Sequence, residues 1–266
     1  MFRRNFLQES GILSLDEVLL LIAYRQKYSY PRASLVIVHE PTGIQLAKDC
    51  WVKPRGVREY CTDLMHDEYH RRLMTSSNLI DVRLGVASTI FWGFYTHNES
   101  LALWRAGQHL TRADPERVFA AVRAAIDAED TGKALSHFQG INQLGQMPFG
   151  SKVVTKLLPQ QAGTMDGKLY KALQVSQWAA SAPFVSLGLV GNRRVQESFK
   201  RWCELLQRIA AQLNAGIDRG AIWHWTLLDG KPARWRAVDV ERAMFAYYSL
   251  QGVGTVVKGG LCGEQA

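Results

Sequence analysis

Apolar positions recur along most of this chain at three- and four-residue spacing, the period of an α-helix. Leu15 to Arg25 (L-D-E-V-L-L-L-I-A-Y-R) is apolar on most faces and predicts a buried helix. It opens at Ser14, where Ser14 and Glu17 have the spacing of a capping box. Arg58 to Met74 predicts a charged amphipathic stretch, and Arg83 to Tyr95 a strongly apolar one. Asp114 followed by Pro115 marks another helix start, with E-R-V-F-A-A-V-R-A-A-I-D behind it. Further helices are expected over Thr131–Leu144, Ser151–Leu158, from near Asp166, over Val195–Leu213 and over Val238–Leu250. Only Ser34–His39, running to a Pro41–Gly43 turn, and Ala221–Leu228, before Asp229-Gly230, read as strands. The fold class is mainly α, with a few short strands. Residues 1–56 are expected to form an N-terminal helix and short strand packed on the main body. Residues 57–250 form the helical domain, and 251–266 a loose Gly-rich tail.

Composition narrows the setting. At 266 residues and 47% hydrophobic, the chain can bury a sizeable core and is not a disordered polymer. Lys and Arg outnumber Asp and Glu 32 to 24, a net charge of +8 that favours a polyanionic partner. Cys50, Cys61, Cys203 and Cys262 form no C-x-x-C pair, so no zinc or iron–sulfur spacing is present. H-D-E-Y-H (His66–His70) has Asp67 where a metalloprotease needs glutamate, and no metal site is expected. The longest apolar run, Val18–Ala23, is too short to cross a membrane, and no signal segment is read at the start. A cytoplasmic protein without membrane contact is expected.

The stretch that asks for a function is G-Q-M-P-F-G-S-K, residues 145–152. It approaches the phosphate loop G-x-x-x-x-G-K-[ST], but Ser151 and Lys152 stand in swapped order. A helix-spaced segment, not a buried strand, feeds Gly145, so a nucleotide loop is disfavoured. The alternative is a tight hairpin between two helices. There, unpaired amides at the second helix's start can hold a phosphate oxygen. On residue pattern alone, an ordinary helix–helix connection remains open beside it.

The continuation G-S-K-V-V-T-K-L-L-P-Q-Q-A-G-T-M-D-G-K-L-Y-K-A-L places Asp166 fourteen residues after Lys152. Over roughly Leu144–Leu173 this resembles the helix-hairpin-helix DNA glycosylases, particularly the 8-oxoguanine glycosylase fold. That hairpin has the pattern L-P-G-V-G-x-K, with an aspartate opening a nearby helix. Gly150 and Lys152 match its second glycine and lysine, Met165-Asp166 matches the apolar-Asp step, and Pro148 or Phe149 stands at its first glycine. The closing V-D-V-E-R-A, Val238–Ala243, is similar to bacterial anti-bacteriophage glycosylases that excise glucosylated hydroxymethylcytosine. The resemblance implies a helix-hairpin-helix glycosylase-like helical bundle; with Cys203 and Cys262 isolated no cofactor is expected, and a monomer is expected. Its partner would be double-stranded DNA carrying a modified base. Excision of glucosylated hydroxymethylcytosine, leaving abasic sites that block phage replication, is the favoured activity. An 8-oxoguanine repair glycosylase/lyase and a non-catalytic DNA-binding module are the alternatives.

The resemblance also assigns roles. Asp166 would stabilise the cation that develops on the deoxyribose, and a desolvated Lys152 would attack C1′. Both residues have plainer readings, as a helix cap and a phosphate contact. Gly145, Pro148, Gly150 and Ser151 would bind the DNA backbone. F-W-G-F-Y-T-H-N, Phe91–Asn98, offers Trp92 as a stacking wall and Tyr95, His97 or Asn98 as a wedge for the extruded base. Trp223, Trp225 and Trp235, beside His224 and Arg234, read either as a wall for a bulky base or as core packing. Arg193, Arg194, Lys200 and Arg201 read as phosphate contacts or a solvated face.

Overall fold

The computed structural model describes residues 13–39, 43–48, 50–52, 58–60, 62–175, 187–227 and 229–250. It is mainly helical. The first helix, α1 (Leu15–Lys27), is closed at its start by the expected capping box: the Glu17 amide donates to Ser14 Oγ, and the Ser14 amide to Glu17 Oε2. Four short strands follow: β1 (Ala33–His39), β2 (Gly43–Lys48), β3 (Cys50–Val52) and β4 (Arg58–Tyr60). β1 was legible as a lone strand. It pairs antiparallel with β2, and Ala33 stands opposite Lys48.

Then come α2 (Asp63–Met74), α3 (Leu79–Tyr95), α4 (Glu99–Arg112), α5 (Pro115–Ile126) and α6 (Thr131–Ser136). α3 is the axis of the molecule. From Val82 to Trp92 all its residues but Arg83 are buried, and it touches α2, α4, α5 and β1 as well as the helix after α6. Its predominantly apolar sequence, broken from Leu84 to Trp92 only by the small polar Ser88 and Thr89, is what such all-round burial demands.

The helix expected over Thr131–Leu144 stops at Ser136. Phe138, Gln139, Ile141 and Leu144 each donate to the carbonyl three residues back, and Gly140 and Gln143 adopt positive φ (69° and 68°). A chain of tight turns replaces the last helical turns. The next helix, α7, runs Met147–Leu157, beginning four residues before the expected Ser151 because Pro148 suits a helix's first turn.

The remaining elements are α8 (Gly167–Val175), α9 (Arg193–Asp218), β5 (Trp225–Thr226), β6 (Pro232–Ala233) and α10 (Ala237–Leu250). The strand expected over Ala221–Leu228 shrinks to β5, paired with β6 across a turn in which Gly230 has φ 82°. Trp225 and Trp235 are 2% exposed, so the core-packing reading of that cluster is the one observed. Trp235 donates from Nε1 to the Trp223 carbonyl at 2.6 Å, and the Trp223 ring covers the backbone of Gly216. α1 packs along α10, and α10 in turn against α8 and α9. The expected tail beyond residue 250 lies outside the described residues.

Beneath these contacts runs a buried ionic network. Asp67 on α2 accepts from Lys156 at 2.8 Å, Arg236 at 2.8 Å and Arg242 at 2.7 Å. Asp239 binds Arg25 and Arg236. His66 faces Lys156 Nζ at 2.9 Å, and His70 lies against the His66 ring. The H-D-E-Y-H segment is therefore committed to tying α2 to α7 and α10.

Candidate active site

A cavity of about 310 Å³ opens where the end of α3, the start of α7, the start of α8 and α10 converge. Lys152 and Asp166, paired from sequence alone, both line it, as do Trp92, His97 and Pro148. The remaining aromatic wall, Tyr28, Tyr30, Phe149 and Phe245, was not legible from spacing, because it comes from three separate elements. Tyr30 packs on Trp92 with ring centres 4.7 Å apart, and Phe94 stacks on Phe149 at 4.6 Å. Trp92 Nε1 donates to the Pro31 carbonyl, and Lys156 Nζ sits 4.4 Å from its ring centre. The ionic network thus braces the stacking wall from behind.

Lys152 is 7% exposed and donates from Nζ to the Pro148 carbonyl at 3.0 Å. Its stem fits only because position 93 is glycine: a Cβ there would stand 2.7 Å from Lys152 Cδ. Burial lowers the pKa of its ammonium, while Asp166 and Glu241 pull the other way. Asp166 accepts the Leu169 amide at Oδ1 (2.8 Å), capping α8. Its Oδ2 has no hydrogen bond among the described residues. Cap and pocket carboxylate are the same side chain. Compared with protein-family models, curated proteins and solved structures, the chain matches none.

The hairpin differs from its expected form. Gly150 lies inside α7, and its amide and that of Phe149 donate to the Gln146 carbonyl, while Met147 donates to Gly188. The amides expected to be free at the second helix's start are therefore occupied. Gly150 is glycine for packing: a Cβ would press within 2.9 Å of Leu135 Cδ1 and 3.1 Å of Val190 Cγ1. Ser151 is fully buried, and its hydroxyl accepts the Met165 amide at 3.3 Å, so it sets the backbone that presents Asp166 and does not face solvent. Gly145, with open space around its Cα, remains at the turn.

Of the wedge candidates, His97 is exposed at the rim of the cavity. Tyr95 packs on Phe91 at 5.4 Å, and Asn98 caps α4 by accepting the Leu101 amide, so neither lines the cavity. In the basic cluster at α9, Lys200 pairs with Asp130 and Arg201 with Glu197.

One lining group was missed. Glu241 on α10 is 7% exposed and faces the cavity, and burial pushes its carboxyl up to about 8. The V-D-V-E-R-A segment had marked its neighbourhood, but its facing depends on how α10 packs against α7 and α8.

Proposed function

We propose that this protein is a DNA glycosylase that takes an extruded, modified base into the aromatic-walled cavity and cleaves its N-glycosidic bond. The observation that carries this reading is convergence: Lys152 and Asp166, matched by resemblance to the glycosylase hairpin and its following aspartate, line one cavity. A stacked duplex hides the glycosidic bond, so the base must leave the helix and be held against flat apolar surfaces. Trp92, Tyr28, Tyr30 and Phe245 supply such surfaces. As the bond breaks, positive charge develops at C1′ and O4′, and the Asp166 carboxylate stabilises it electrostatically. Lys152, whose ammonium burial disfavours against the pull of Asp166 and Glu241, is the candidate nucleophile toward C1′. The enclosed aromatic cavity is surplus to a module that only grips backbone, which weighs against that alternative.

The favoured substrate is glucosylated hydroxymethylcytosine of phage DNA, whose removal leaves abasic sites and places the enzyme in antiviral defence. The aromatic platform for the bulky base is the Tyr28–Tyr30–Trp92–Phe245 wall, since Trp225 and Trp235 belong to the core. Thr96, His97 and Lys168 line the same cavity and offer polar groups to the sugar. Borohydride added during turnover should trap a covalent protein–DNA adduct with the wild type and none with Lys152→Ala. Abasic product without an adduct would make Lys152 a positioning group and the enzyme monofunctional.

A further inference from the structure

Two carboxylates share the cavity, and they are held differently. Asp166 is half-buried and takes a backbone amide. Glu241 is more than nine-tenths buried, and its carboxylate has no hydrogen bond among the described residues. An ionised carboxylate left without partners in a buried site is costly. The cations around it are spoken for. The Arg242 guanidinium is bound to Asp67 through both terminal nitrogens, Lys156 is held by Asp67 and His66, and Lys152 donates to Pro148. From α1 and the segment after it, Tyr28 and Tyr30 face the group, and Asp166 and, from α9, Cys203 are the other titratable neighbours. Backbone is fitted to it as well: a Cβ on Gly163 would lie 2.7 Å from Glu241 Cβ.

Resting on the glycosylase reading of this cavity, we propose that Glu241 is the proton donor to the departing base. The C1′–N bond breaks with its electron pair going to the base, which takes the carboxyl proton and leaves neutral. Asp166 stabilises the sugar cation. The Lys152 amine then adds to C1′, and the proton it releases restores the Glu241 carboxyl. This divides the work between a neutral acid and a charged carboxylate, a division that environment alone can impose.

Glu241→Gln keeps shape and neutrality, so the fold should survive. The unfolded wild type ionises above about 4.5 while its folded carboxyl holds the proton to about 8. Wild-type stability is therefore lost as pH rises through that window, and the glutamine variant's is not. The variant should melt above the wild type at neutral pH, with the gap closing below pH 4.5. A gap independent of pH, or a variant melting lower at neutral pH, would overturn a neutral Glu241. On whichever duplex the wild type opens, 8-oxoguanine or glucosylated hydroxymethylcytosine, its single-turnover excision should fall as pH rises through about 8. Glu241→Gln should bind equally, excise about a hundredfold more slowly and lack that fall. An unchanged profile in the variant would overturn the role. If the wild type opens neither duplex while the melting signature holds, the glycosylase reading fails, and the donor role fails with it.

Discussion

Lys152 and Asp166 were marked by resemblance to the glycosylase hairpin and its following aspartate, and both line the cavity, one from the middle of α7 and the other from the cap of α8. Glu241 was not legible, since nothing in its own helix says which face meets the cavity. Three outcomes follow for single side chains. Asp166→Asn retains a carbonyl oxygen for the Leu169 amide, so fold and DNA affinity should persist while single-turnover excision falls about a thousandfold, as expected for lost transition-state charge. Wild-type rates in that variant would remove Asp166 from the chemistry. Gly93→Ala meets the flexible stem of Lys152 and not backbone, so the protein should fold. The displaced amine should slow excision about a hundredfold. Circular dichroism with the rate assay checks both halves. Gly150→Val should act as a core defect, lowering thermal stability through Leu135 and Val190, and a stable variant would contradict that packing.

Among the elements, the apolar run of α3 and the caps at Ser14, Asp114 and Asp166 were readable because they depend on neighbours within a few residues. The end of α6 and the short β5 were not. Helical spacing continues past Ser136, but Gly140 and Gln143 take positive φ and the chain turns. The Asp67 network was equally invisible, since its cations come from α7, α10 and the segment before α10. Removing one partner from it should be costly, whatever its net worth against an apolar core. Burial by itself raises the Asp67 carboxyl, but Arg242, Lys156 and Arg236 outweigh it and hold it well below the usual range. Asp67→Asn strands those cations and should cost about 3–5 kcal/mol in urea unfolding. The pH profile has a definite sign. Burial lowers His70 to about 3 and His109 to about 4, so the unfolded chain takes up their protons first. The contribution of these two imidazoles is full above 6.5 and falls as pH drops below it, by about 1.4 kcal/mol per pH unit for each, opposite in sign to that of Glu241. Asp67 extends the loss below 3.8. In Glu241→Gln, which lacks the opposing carboxyl, urea midpoints constant between pH 7 and 4 would contradict this burial.

For the molecule as a whole, a net charge of +8 accompanies a cavity that brings together a lysine, two carboxylates and an aromatic wall, and the proposed partner is a polyanion. No helix among the described residues is long and apolar enough to cross a membrane. Affinity for undamaged duplex should weaken steeply with salt, because phosphate neutralisation releases counterions, and a flat salt dependence would count against DNA. The most direct test of the central claim is a competition. Equal amounts of a duplex carrying 8-oxoguanine and one carrying glucosylated hydroxymethylcytosine are incubated with the protein, and alkali reveals abasic sites. Preferential opening of the glucosylated duplex, abolished by Asp166→Asn, is the predicted result. Opening of only the 8-oxoguanine duplex would make it a repair enzyme, and opening of neither, in a protein that still binds DNA, would contradict glycosylase activity altogether.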